Sequence, residues 1–132
     1  MRLDDMMQVL RDEFELAAAD VDNALAAWMG DEPANAPTHC EAVIGTFERL
    51  ASVSRMVGLE GQAVVIEQLR DAAMLAAMSD EAAMATGLGW LAMWREPLAD
   101  SYAAPGEADG AMALIEYLAA GPVPPSLVAV SE

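Results

Sequence analysis

The chain has 132 residues, 55% of them hydrophobic, enough apolar surface to fill one domain core without metals or disulfides. Six Lys+Arg against 22 Asp+Glu give a formal net charge of -16, a field that repels phosphate backbones and anionic bilayers and so argues against nucleic-acid partners. The lone Cys40 leaves no internal disulfide, and the acidic start MRLDDMMQVLRDEFEL lacks a secretory pattern, so a cytoplasmic protein is expected.

The first element is a long helix. Leu3, Met7, Leu10, Phe14, Ala17, Val21, Leu25 and Trp28 recur at steps of three and four, which places them on one stripe. Gly30 should stop it, and Asp31 to Pro37 (DEPANAP) reads as a loop because its prolines cannot continue the helix. Thr38 followed by Glu41 has capping-box spacing, so a second helix is expected from there, with Val43, Phe47, Leu50, Ser54 and Val57 as its stripe and Gly58 as its left-handed end.

The short connection from Gly58 to Gly61 makes the next helix antiparallel, with Val65, Leu69, Ala72 and Ala76 on its buried face. Ser79 with Asp80 and Glu81 reads as the cap and acidic first turn of a fourth helix. That segment runs through Met84, Leu88, Leu91 and Trp94 towards Pro97, and Gly87 and Gly89 within it predict a kink or a close helix contact. After a loop around Ala103 to Gly106, Met112, Ile115 and Leu118 mark a short fifth helix that Gly121 and Pro122 end.

The resulting expectation is one all-α domain over residues 1–121, an up-and-down antiparallel bundle of four to five helices, followed by a Pro-rich tail or linker over 122–132. No apolar run reaches the ~20 residues of a bilayer span, so membrane insertion is not expected.

Chemistry-bearing residues are sparse. One His and one Cys, with no second His at helical spacing, assemble neither a zinc nor a di-iron site. The acid pairs Asp4-Asp5, Asp20/Asp22 and Asp31-Glu32 lack the glycine and ligand order of a calcium loop and read as solvated faces. His39 and Cys40 are chain neighbours that point about 100° apart on a helix, so they do not form a thiol-imidazole pair. Met6, Met7, Met29, Met56, Met74, Met78, Met84 and Met93 fall on or beside the stripes and read as core filling, with an adaptable binding surface as the second reading. Trp28, Trp90 and Trp94 read as core anchors. No catalytic site, metal or cofactor is expected, and the chain is not read as an enzyme.

The segment FERLASVSRMVGLEG, Phe47 to Gly61, resembles the phosphoacceptor helix of histidine phosphotransfer (HPt) domains. In that family a solvent-facing His is followed by Lys three residues on and by a small residue four on, and a Gly-Leu turn closes the segment. Ala51-Ser52 and the turn Arg55-Met56-Val57-Gly58-Leu59 match the pattern, but Glu48 stands at the His position and Ala51 at the Lys position. A carboxylate there cannot carry phosphate as a phosphohistidine does. His39 has Ala42 and Val43 where the motif needs Lys and Gly.

The order of elements from Val9 to Met78, with the later Leu114-Ile115-Glu116-Tyr117-Leu118 segment, is similar to the N-terminal region of ChpA/PilL-type chemosensory kinases and to FimL proteins. The resemblance implies a pseudo-phosphotransfer module of two-component, chemosensory signalling that controls type IV pili and twitching motility. It implies a response regulator or a polar scaffold protein as partner, and a docking face made of Glu41, Glu48, Ala51, Ser52 and Arg55. An active phosphotransfer domain using His39 is the alternative.

Overall fold

A computed structural model describes residues 3–103 and 108–121 of the chain. The fold is an all-α bundle, with no strand among the described residues. Its helices are α1 (Leu3–Met29), α2 (Ala36–Met56), α3 (Glu60–Ala77), α4 (Glu81–Leu91), α5 (Arg95–Ala103) and α6 (Ala108–Ala119).

The stripe expected on α1 is the one the fold buries. Leu10, Phe14, Ala17, Val21, Leu25 and Trp28 are all in the core, and Met7 is partly buried against it. Residues spaced by three and four return to one side of a helix, and this side meets α2. Contacts such as Glu13 with Arg49 and Asp31 with His39 show the two helices running antiparallel.

The segment between them differs from the loop expected there. Pro33 to Asn35 form one 3-10 turn, and α2 begins at Ala36 with Asn35 as N-cap and no side-chain cap bond. Thr38 therefore lies inside the helix, and the Thr38/Glu41 capping box is not formed. The physical reason is proline. In the first turn of a helix a backbone N–H has no intrahelical partner, so Pro37 there removes nothing the helix uses, and its fixed φ favours helix entry.

The α2–α3 hairpin closes as expected at Gly58, whose φ of 86° is the left-handed conformation that glycine adopts without strain. The Leu59 N–H donates to the Ser54 carbonyl at 2.9 Å and the Gly58 N–H to that of Arg55 at 3.0 Å, the bond pair that satisfies the last carbonyls of a helix. Below the turn, Val43, Phe47, Leu50 and Ser54 of α2 face Val65, Leu69, Ala72 and Ala76 of α3, all buried.

The fourth expected segment is two helices. Asp80, one residue beyond the expected Ser79, is the N-cap of α4 and accepts from the Ala83 N–H at 2.9 Å; Ser79 instead donates to the Leu75 carbonyl. Gly87 marks a close helix contact, since a Cβ there would lie 3.4 Å from that of Ala76 on α3. Between α4 and α5, Trp94 turns fully inward. Its ring centroid lies 5.6 Å from that of Phe14 and 5.2 Å from that of Phe47, and Phe14 also meets Tyr102 edge-on at 5.6 Å. This aromatic cluster joins α1, α2 and α5.

The α6 helix buries Leu114 and Leu118, whereas Met112, expected on its inner stripe, is exposed and Ile115 only partly covered. Trp90 of α4 stacks on Tyr117 with centroids 4.4 Å apart, and the pair exchange bonds, Trp90 Nε1 to the Tyr117 carbonyl and Tyr117 Oη to the Trp90 carbonyl. Gly121 passes so close beneath Trp90 that a Cβ there would overlap the indole ring. The expected tail over 122–132 and most of the loop around Ala103 to Gly106 lie outside the described residues.

The methionines differ most from expectation. Met84 is buried and accepts the Trp28 indole N–H through sulfur at 3.4 Å. Met29, Met56, Met74, Met78 and Met93 are exposed. Met29 and Met56 end their helices and Met78 caps α3, positions where the stripe runs out over the end of the bundle.

Candidate functional site

The outer side of the α2–α3 hairpin carries the residues singled out by the resemblance. Helical spacing places Glu41, Glu48, Ser52 and Arg55 of α2 on one side, and all four are exposed. Ala51 is not part of this surface. It is 2% exposed, turned into the seam with α3, so it cannot meet a partner and is removed from the docking face.

Charge on this side is organised by two arginines. Arg55 bonds Glu60 through Nε at 3.0 Å and grips Glu67 through Nη2 at 2.6 Å and Nη1 at 3.2 Å, a planar fork against a carboxylate. This contact holds the Glu67 carboxyl below the usual carboxylate range and raises the Arg55 guanidinium pKa. Arg55 is therefore tied to α3. From α3, Arg70 places Nη1 3.8 Å from the Glu48 carboxylate while Nη2 reaches Asp71 at 3.2 Å. The position where the HPt pattern has its phosphoacceptor thus holds an exposed carboxylate with a guanidinium beside it.

Sequence reading missed Glu60, Glu67 and Arg70. The Glu67–Arg70 spacing of three residues is a helical ion-pair signal, but nothing in the sequence said that Arg70 would stand across from Glu48.

His39 lies elsewhere. Nine residues separate it from Glu48 on the same helix, about 13 Å along the axis. Its Nε2 is 2.8 Å from Asp31 Oδ2, and the other oxygen of Asp31 accepts from the Glu32 N–H at 2.8 Å and Asn35 Nδ2 at 3.0 Å. The bonds from His39, Asn35 and the Glu32 amide pull the Asp31 carboxyl from the usual 3.8 to about 2. A group arriving at His39 Nε2 would have to displace this carboxylate, whose negative charge opposes a phosphoryl group. Cys40 is buried with its Sγ 3.4 Å from the Ala73 carbonyl, and burial pushes its thiol pKa up, away from nucleophilic thiolate.

Among the described residues no cluster of three or more His, Cys, Asp or Glu is placed to hold a metal ion. No helix among them is long and apolar enough to cross a membrane. No protein-family model matches the chain, and neither does any curated protein or solved structure.

Proposed function

We propose that the chain is an HPt-like docking module that does not itself carry phosphate, acting in the cytoplasm in a two-component or chemosensory pathway. The observation that supports this reading best is Glu48, an exposed carboxylate at the phosphoacceptor position of an α2–α3 hairpin whose Gly-Leu turn has the expected form. A carboxylate paired with Arg70 offers a partner a fixed charge pattern and no imidazole to phosphorylate. The resemblance to ChpA/PilL-type kinases and FimL directs the proposal to type IV pilus and twitching-motility control, with a response regulator or a polar scaffold protein as partner.

Incubation with a radiolabelled, phosphorylated response regulator tests the reading. No acid-labile label on this chain, together with regulator binding that a Ser52→Arg substitution abolishes, is the expected result. Stable label that His39→Gln removes would overturn it in favour of active phosphotransfer through His39. Binding unchanged by Ser52→Arg in a folded variant would place the contact off this face.

A further inference from the structure

The flank of α2 that faces α1 borders a cleft of about 180 Å³. Leu16, Ala17, Glu13 and Asp20 of α1 line one wall, and Gly45 and Arg49 of α2 the other. Leu16 is 54% exposed, and Val9, one heptad earlier on the same side of α1, is 41% exposed. These two apolar side chains stand about 10 Å apart along the helix axis. Gly45 lies within α2, where glycine is less stable than alanine. A Cβ there would meet nothing within 4 Å, so packing inside the fold does not require the missing side chain. What the glycine does is keep the wall of the cleft low.

We propose that this α1–α2 groove is a docking site for a basic amphipathic helix of a partner protein. The groove between two antiparallel helices accepts the side-chain ridge of a third, and the spacing of Val9, Leu16 and Gly45 suits apolar anchors that recur along one helix face. Charge selects the occupant. Glu13 is already held by Arg49, with bonds of 3.0 and 2.9 Å. Asp20 at the rim adds a second carboxylate, which Arg49 feels at longer range, so two acids face one base along the groove, and the whole chain carries a net charge of -16. A second copy of the chain, or an anionic lipid surface, would be repelled, whereas Lys or Arg beside the apolar anchors would meet Asp20 and the surrounding field. The site borders the exposed side of α2 that carries Glu48 and Ser52, on the edge nearer α1, and it stands without the phosphotransfer resemblance.

The test is fluorescence anisotropy with the full chain and a dye-labelled synthetic peptide of about 18 residues, long enough for helix to form on binding. Its Leu and Lys residues are arranged on opposite helical faces, and a scrambled peptide of the same composition serves as reference, at about 0.15 M salt. The patterned peptide is expected to bind about tenfold more tightly than the scrambled one. Gly45→Trp, which fills the cleft from an open surface position, should remove that advantage with helicity unchanged, while Met112→Gln at an exposed position of α6 leaves it intact. Equal binding of the two peptides would reduce the effect to net-charge attraction and overturn the proposal. So would unchanged binding by folded Gly45→Trp, or sedimentation showing a wild-type dimer that this substitution dissociates, since a second copy would then occupy the groove.

Discussion

At the scale of single residues, the buried hydroxyl pair of Ser54 and Tyr102 is the most informative contact in the core. Ser54 Oγ donates to the Leu50 carbonyl at 2.9 Å and lies 2.7 Å from the Tyr102 hydroxyl, with both side chains buried. Burial also raises the phenol pKa, so the group stays protonated. The two partners are not equivalent. Tyr102→Phe leaves Ser54 its bond to Leu50 and should cost about 0.5–1.5 kcal/mol, the net value of one hydrogen bond. Ser54→Ala strands the Tyr102 hydroxyl in the core and should cost about 1–3 kcal/mol. Urea unfolding of the two variants measures the difference, and a larger loss for Tyr102→Phe would show that packing of the ring edge on Phe14 is coupled to the hydroxyl. Ser54 was legible as a member of the α2 stripe because helical spacing reports which side a residue occupies. Its partner was not, since spacing carries no information about a contact 48 residues away. Ala51 shows the same limit from the other side. The family resemblance placed it beside Ser52 on a docking surface, but it is 2% exposed in the seam with α3, because α2 buries an arc wide enough to take in residues at the stripe's edge.

At the scale of elements, the helices with a regular stripe were readable and their boundaries less so. α1 and α3 follow directly from apolar recurrence, and the end of α2 follows from Gly58 and Leu59. The start of α2 does not, because a proline pair reads as a break unless one of them falls in a first turn. The turn there is instead built on Asp31, which accepts from His39, Asn35 and the Glu32 amide. These bonds give a pH dependence of definite sign. The carboxyl is lowered to about 2 in the folded chain from the usual 3.8, so the folded state favours its charged form. The contribution is fully present above the unfolded pKa and is lost as pH falls through the folded one. Comparing Asp31→Ala with the parent by urea unfolding, the parent should be the more stable at pH near 5. The gap should narrow below about 4 and be largely gone as pH falls through about 2. A gap that persisted at the acid end would show that Asp31 acts through packing of the turn and not through its charge.

At the scale of the whole molecule, acidity and ion pairing act in opposite directions. Among the described residues Arg49, Arg55, Arg70 and Arg95 each stand within ion-pair distance of one or more carboxylates, and Arg95 ties α5 to Glu15 and Asp22 of α1. Exposed pairs of this kind contribute about 0–1 kcal/mol each and weaken in salt. Against them stand 22 acids to six bases and a net charge of -16, a self-repulsion that disfavours the compact state and is also screened by salt. The two terms predict opposite responses to ionic strength. The acids outnumber the bases more than threefold, so most carboxylates have no cation to lose, and the relief of repulsion should dominate. Raising NaCl from about 0.02 M to about 0.3 M shortens the screening length from roughly 20 Å to below 8 Å, less than the span of the bundle. The melting temperature followed by circular dichroism should therefore rise, by about 4 °C if the relief amounts to about 1 kcal/mol. A fall in melting temperature over the same range would mean that the arginine-centred pairs linking α1, α2, α3 and α5 outweigh the repulsion.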